Sequence, residues 1–111
     1  MAEGDFYISQ LKGITPITNR SAFIVDVKSV TTAGTAVRLP DVKIPDGFFA
    51  IIMARPDNND SVYIGQTKAI AEAHLFELQP GDSVPYPYTN LNLAWIDADN
   101  DGEGISFWVP Q

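Results

Sequence analysis

The sequence predicts an all-β fold: a single-domain antiparallel β-sandwich or jelly-roll-like barrel of about seven or eight short strands, with an extended N-terminal arm. Short apolar runs, several of them alternating with polar residues, are separated by turn sequences rich in Gly, Pro, Asn and Asp. No long helical period interrupts them, and a chain of 111 residues is the size of one domain.

The clearest pair of predicted strands occupies residues 48–66. Residues 48–54, FFAIIMA, are apolar at every position, which is typical of a strand covered on both faces. The polar turn 56–60 follows, and residues 61–66 then alternate, with Val62 and Ile64 on one face. We therefore expect a hairpin that lies at the centre of one sheet.

Two alternating strands precede this pair. Residues 23–30 are expected to form a half-buried strand whose apolar face carries Phe23, Val25 and Val27. After a turn at 31–34, residues 35–39 form a shorter strand, and Pro40 ends its hydrogen bonding.

Five further segments complete the predicted domain. The alanine-rich residues 67–74 are interpreted as a strand end and a loop, because no helix N-cap coincides with an apolar period there. A short strand is expected at 75–78, and two prolines confine residues 84–88 to a sheet edge or a rim. The last predicted strands are residues 91–97, with Leu91, Leu93 and Trp95 on one face, and residues 105–109.

Residues 1–22 differ from the rest of the chain. Apolar residues recur there at a spacing of three, but Gly13 and Pro16 argue against a helix, so we expect an extended arm before a β-sandwich domain of residues 23–111. This segment is either a frayed terminus or an arm that docks on a neighbouring subunit. The residues expected to make the arm's contacts are Phe6, Tyr7, Ile8 and Leu11.

The composition disfavours several classes of function. The formal net charge is −7 and the seven Lys and Arg residues are scattered, which argues against binding to nucleic acid or to an anionic membrane. The longest apolar run, residues 48–54, is too short to span a bilayer. The absence of cysteine excludes disulfides and thiolate metal sites. Because the N-terminus lacks the layout of a signal peptide, we expect an unprocessed cytoplasmic product.

An acidic loop near the C-terminus resembles the first half of a calcium loop. Asp97, Asp99 and Asp101 stand at the first, third and fifth positions and Gly102 follows, so that three carboxylates would converge on one hard cation. The twelfth position, which requires a bidentate Glu, is Trp108. The other interpretation is a hairpin tip with solvated acids, so we expect no cofactor, with calcium as the only candidate.

The sequence contains no motif that indicates an enzyme. Serine, histidine and acidic residues are present, but there is neither a Gly-x-Ser-x-Gly elbow nor a glycine-rich phosphate loop. His74 is the single histidine, and one histidine beside Glu77 does not make a usual zinc or iron site.

Two aromatic residues are candidates for surface contacts. Tyr86 and Tyr88 have the same parity along the proline-rich segment, so both are expected to face outward. Exposed aromatic rings on a β-scaffold stack on sugars or on a protein partner, whereas filling of the core accounts for most of the other aromatic residues.

Several strand and turn signatures follow one another in a characteristic order between residues 25 and 109. They are VTTAGTAVRL at 30–39, IPDG at 44–47, VYIG at 62–65, LQPGDS at 78–83, LNL at 91–93 and DAD at 97–99, followed by Gly102 and Gly104. In this succession the chain resembles the small β-sandwich virion proteins of tailed bacteriophages. The arm before residue 22 lies outside the resemblance.

The resemblance implies a non-enzymatic structural protein of the virion. It implies a capsid decoration protein, made in the host cytoplasm, that contacts the phage major capsid protein and copies of itself and stabilises the capsid surface in many copies. The alternative is a carbohydrate- or receptor-binding module of a tail or fibre, in which Tyr86, Tyr88 and the acidic loop contact a host-surface glycan.

Overall fold

The protein is a β-sandwich of two four-stranded antiparallel sheets, as the sequence predicts. The computed structural model describes residues 22–111. Their strands are β1 Phe23–Ser29, β2 Val37–Arg38, β3 Ala50–Ala54, β4 Val62–Gly65, β5 Glu77–Leu78, β6 Ser83–Tyr86, β7 Trp95–Ala98 and β8 Gly104–Pro110. A short α-helix, α1 Lys68–Glu72, follows β4, and a 3-10 helix, Leu91–Leu93, precedes β7.

The chain changes sheet at almost every connection. The strand order is β1-β8-β3-β6 in the first sheet and β2-β7-β4-β5 in the second, so that only β4 and β5 are both consecutive and in one sheet. The neighbours within each sheet therefore come from distant parts of the chain. The longest ladder joins the two ends of the domain, with Phe23 opposite Pro110 and Ser29 opposite Gly104.

The prediction that residues 48–66 form a hairpin is wrong. β3 pairs with β8 and β6, whereas β4 pairs with β7 and β5, and the turn 56–60 carries the chain from one sheet to the other. The acidic loop is likewise a crossover between β7 and β8 and not a hairpin tip. Local sequence marks each strand and each turn, but strand partners are set by contacts far apart in sequence.

The core lies between the two sheets. Ile52, Ile96 and Ile105 are completely buried, and full burial of such a side chain contributes roughly 1.5–3 kcal/mol. β3 is not covered on both faces as predicted: Ala50, Ile52 and Ala54 are buried, whereas Ile51 and Met53 on the other face are only partly buried. The remaining buried apolar residues of the core are Val30, Leu39, Ile44, Val62, Leu78, Tyr86, Leu91, Ala94, Ala98, Phe107 and Val109.

The prediction that β1 turns its apolar face to the core is wrong. Phe23, Val25 and Val27 are all exposed, and β1 is exposed on its other face as well at Ile24 and Asp26. The strand lies at the edge of the first sheet, and none of its residues belongs to the buried core described for residues 22–111. Alternation in the sequence defines two faces of a strand but does not tell whether either of them is covered.

Residues 67–74, which were expected to form a strand end and a loop, contain a helix. The hydroxyl of Thr67 accepts a hydrogen bond from the Ile70 N–H at 3.2 Å and so caps α1. The helix packs against β4 and β7, and its buried contact to the sheet is Ala71. Among residues 22–111 no helix is long and apolar enough to cross a membrane.

The strand expected over residues 91–97 begins later than predicted. Leu91–Leu93 form a 3-10 helix capped by the Asn90 side chain, which accepts from the Asn92 N–H at 3.0 Å. A 3-10 turn breaks the alternation of a strand, so Leu91 is buried while Leu93 is exposed.

The acidic loop is tied to a second crossover loop, residues 55–61, at one end of the sandwich. The Glu103 carboxylate accepts hydrogen bonds from the N–H groups of Asn59 at 2.6 Å and Asp60 at 3.3 Å. These hydrogen bonds hold the pKa of Glu103 below its usual value. The buried Asn58 amide donates to the Gly104 carbonyl at 2.9 Å and accepts from the Gly104 N–H at 3.3 Å. Both crossovers are therefore anchored where β8 begins.

Gly104 offers a test of how closely β1 and β8 pack against each other. A Cβ at this position would lie 2.0 Å from the Lys28 carbonyl oxygen and 2.7 Å from the Ser29 Cα, and both are backbone atoms of β1. We expect Gly104→Ala to lower the free energy of unfolding by about 3 kcal/mol in urea denaturation, because the β1–β8 ladder must separate to admit the methyl group.

Gly102→Ala is the matched control. Gly102 has φ +82° with no atom within 4 Å of an added Cβ, so only backbone strain of about 1–2 kcal/mol is expected. A loss at Gly104 no larger than the loss at Gly102 contradicts the proposed crowding between β1 and β8.

Candidate binding surface and groove

The outward side of the first sheet carries an exposed apolar surface. We define the apolar face as Phe23, Val25, Val27, Ile51, Met53 and Trp108. Strand pairing places Val25, Trp108 and Ile51 side by side in one row that crosses β1, β8 and β3 and ends at Pro85 of β6. Phe23 is 60% exposed and Val25 58%, and the Phe23 ring lies 5.6 Å from the Trp108 ring between centroids.

The apolar face is free of charge. The paired outward positions of β1, β8, β3 and β6 hold apolar residues and serines, although the chain contains 14 acidic and 7 basic residues. An exposed apolar patch of this kind marks an interaction site more often than an ordinary solvent-facing surface. Depletion of charge together with exposed aromatic residues is the composition of the centre of a protein–protein interface.

The edge strand β1 borders the apolar face. Its outer edge pairs with no other strand among the described residues, and such an edge is able to receive another chain. The Asp26 carboxylate accepts a hydrogen bond from the Val27 N–H at 2.8 Å, which occupies one of the backbone donors of this strand. A charged residue placed here limits indiscriminate edge-to-edge pairing.

A groove of about 680 Å³ opens between the two sheets at the side where β6 forms an edge. Residues of both sheets and of α1 line it, and most of them are apolar or aromatic. The aromatic members are Phe76, Tyr86, Tyr88 and Trp95, and the polar members are Arg38, Gln66, Thr67 and Asn92.

Tyr86 and Tyr88 do not both face outward as predicted. Tyr86 is 6% exposed, and its hydroxyl lies 3.0 Å from the Asn90 carbonyl oxygen, to which it donates. Tyr88 is exposed and packs edge-on against the Tyr86 ring, with centroids 4.9 Å apart. The strand ends at Tyr86, so the parity on which the prediction relied does not continue through Pro87. Burial raises the pKa of Tyr86 to about 12, and the neighbouring Tyr88 adds to the shift.

Trp95 and Arg38 are groove residues that were not among the predicted contact residues. β2 and β7 place them directly opposite each other, and the guanidinium carbon lies 6.0 Å from the centroid of the indole ring. Arg38 Nε also donates to the Asn92 carbonyl oxygen at 2.6 Å. The parity of Trp95 was visible in the sequence, but its pairing with β2 depends on contacts between residues far apart in the chain.

The three aspartates proposed for calcium are used separately. Asp97 is completely buried. Each of the three carboxylates accepts a hydrogen bond from a different group, namely the Gly34 N–H for Asp97, the Tyr63 hydroxyl for Asp99 and the Ala33 N–H for Asp101. In the part of the chain that the structure describes, no three His, Cys, Asp or Glu residues are grouped to hold a metal ion. The geometry therefore adds no support to the calcium prediction and gives these acids a role in fixing loops.

His74 lies against the same acidic cluster. Its Nε2 is 2.8 Å from the buried Asp97 carboxylate, and its ring stacks on Tyr63 with centroids 3.7 Å apart. The backbone of His74 is left-handed, with φ 57°, a conformation that is uncommon outside glycine. Burial and the hydrogen bond to Asp99 raise the pKa of Tyr63 to about 12. The Ser61 hydroxyl donates its hydrogen bond to the Glu77 carboxylate.

The arm residues Phe6, Tyr7, Ile8 and Leu11 lie outside the described residues. Comparison of the chain with protein-family models, with curated proteins and with solved structures finds no match. The apolar face and the groove are therefore interpreted from their own geometry.

The raised pKa of Tyr86 predicts a loss of stability in alkali. A phenol with a raised pKa binds its proton more tightly in the folded chain, so its contribution is complete below about pH 10 and is lost as the pH rises to about 12. We expect Tyr86→Phe to be about 1 kcal/mol less stable at pH 8 but to lose less further stability between pH 10 and 12. Melting temperatures across this range measure both effects, and equal alkaline slopes for the two proteins contradict the prediction.

Proposed function

We propose that this chain is a structural protein of a tailed-phage virion, a capsid decoration protein that binds the capsid surface in many copies and stabilises it. The observation that carries the proposal is the uncharged apolar face of the first sheet, because an exposed surface of that composition needs a protein partner. The resemblance to small virion proteins of tailed phages supplies the kind of partner, which is the phage major capsid protein.

The apolar face suits a broad and shallow contact. A row of side chains on four strands forms an extended surface, and Trp108 near its middle is a residue type that dominates interface energetics, at about 2 kcal/mol or more when truncated. Phe23 and Val25 extend the contact to the edge of the sheet. We propose that the arm residues Phe6, Tyr7, Ile8 and Leu11 add contacts to the capsid or to adjacent copies of the chain.

Stabilisation of the capsid by such binding follows from mass action and requires no catalysis. A protein that binds the assembled capsid but not its separated subunits stabilises the assembly by the free energy of that binding. The net charge of −7 opposes association between free copies in the host cytoplasm, where the chain would be made. The protein would act on the capsid surface once an apolar partner surface becomes available.

Capsids purified from a phage in which the gene for this chain is deleted provide the test. We expect the purified wild-type chain to sediment with these capsids at a fixed ratio to the major capsid protein and to raise their melting temperature. Trp108→Ser is expected to weaken binding by at least tenfold, since it removes the central aromatic contact. Val25→Ser is expected to weaken it less.

Leu75→Ser is the matched control, because Leu75 is 75% exposed and lies outside the apolar face. This substitution removes an exposed apolar side chain that does not belong to the apolar face, so sedimentation of the chain with the capsids should be unchanged. Circular dichroism of each variant confirms that the sandwich is folded. No binding by the wild-type chain, or equal losses for Trp108→Ser and Leu75→Ser, would exclude the apolar face as a capsid contact.

A further inference from the structure

The groove has the size and lining of a ligand site. Its volume of about 680 Å³ falls within the roughly 300–1,000 Å³ typical of small-ligand sites, and such sites combine an apolar lining with a few polar groups. Most of its residues are apolar or aromatic, while Arg38, Gln66, Thr67 and Asn92 supply the polar groups. The residues of the apolar face do not line it.

The aromatic rings of the groove are held in place. Tyr88 packs edge-on against Tyr86, whose hydroxyl is bound to the backbone carbonyls of Asn90 and Leu91. Trp95 is half-buried in β7, with the Arg38 guanidinium above its ring. Rigid rings of this kind provide contact area at little cost in conformational entropy, which favours binding of a ligand with a flat apolar side.

Arg38 gives the groove a positive charge without a local counter-ion. None of the described residues that line the groove is acidic, although the chain has 14 Asp and Glu residues. Elsewhere in residues 22–111, Arg55 pairs with Asp57 and Lys68 pairs with Glu72, whereas Arg38 forms no ion pair. Since its Nε is already bound to the Asn92 carbonyl, the terminal nitrogens of the planar guanidinium are left to bind an anionic group, a geometry that matches a carboxylate.

The neighbouring strand disfavours an extended peptide as the occupant. A peptide that adds to a sheet needs a row of backbone donors, and β6, the edge strand that lines the groove, contains Pro85 and is followed by Pro87. The groove offers amide side chains, Gln66 and Asn92, which both donate to and accept from hydroxyl groups. Hydroxyls together with an apolar ring face are the features of a sugar.

We propose that this groove binds an acidic saccharide, with the carboxylate on Arg38 and a sugar ring stacked on Tyr88 or Trp95. The side-chain amides of Gln66 and Asn92 bind the hydroxyl groups. The site is independent of the apolar face and gives the protein a second partner, a carboxylate-bearing glycan.

Calorimetric titration of the full chain with two pairs of probes tests the proposal. The acidic probes are sialyllactose and tetragalacturonate, and their neutral counterparts are lactose and the methyl-esterified tetragalacturonate. We expect at least one acidic probe to bind roughly tenfold more tightly than its neutral counterpart, which corresponds to the contribution of one charged hydrogen-bonded contact. Arg38→Gln should abolish that difference, and Tyr88→Ala should weaken binding of both members of the pair.

Arg55→Gln is the matched control, since Arg55 is an arginine outside the groove lining that pairs with Asp57. It should leave the affinities unchanged, as should Trp108→Ser on the apolar face, so that failure of the saccharide site and failure of capsid binding are distinguishable. Absence of binding by all four probes overturns the proposal. Equal affinity for the acidic and neutral probes also overturns it, as does tighter binding of an oligoglutamate peptide than of either acidic saccharide.

Discussion

The fold depends on one strand, β8, which lies between β1 and β3 in the first sheet. Its inward residues, Ile105, Phe107 and Val109, are buried in the core. Its outward residue Trp108 lies at the centre of the apolar face. Because side chains alternate along a strand, the same seven residues hold the sandwich together and present the proposed capsid contact. The pairing also joins the two ends of the domain, so the first sheet is incomplete until the last strand has been added.

The crossover connections give the acidic loop its structural role. A chain that changes sheet at nearly every turn needs its loops fixed at the ends of the sandwich, and the acidic side chains supply acceptors for backbone N–H groups there. The pattern that suggests a calcium site in the sequence therefore also meets a requirement of this topology. Connections of this kind make most contacts long-range, which is a property of slowly folding β-proteins.

The two proposed binding regions differ in chemistry because they differ in charge. The apolar face has no charged side chain at its paired positions, which suits a dry protein contact. The groove has aromatic rings beside Arg38, which forms no ion pair within residues 22–111, and this combination suits a ligand with one apolar side and one anionic group. Among residues 22–111, no acidic side chain belongs to the apolar face or lines the groove.

The sequence by itself determined the all-β class and the position of most strands and turns, because alternation, proline and turn residues act locally. It did not determine which strands pair, since the partners of β3 and β4 lie far away in the chain. It also did not determine that β1 is exposed on both faces, because alternation defines the two faces of a strand but not what packs against them. Only the tertiary structure turned Phe23 and Val25 outward, buried Tyr86 and placed Arg38 beside Trp95. Each of these depends on what the opposite sheet or the neighbouring strand contributes, which no local pattern encodes.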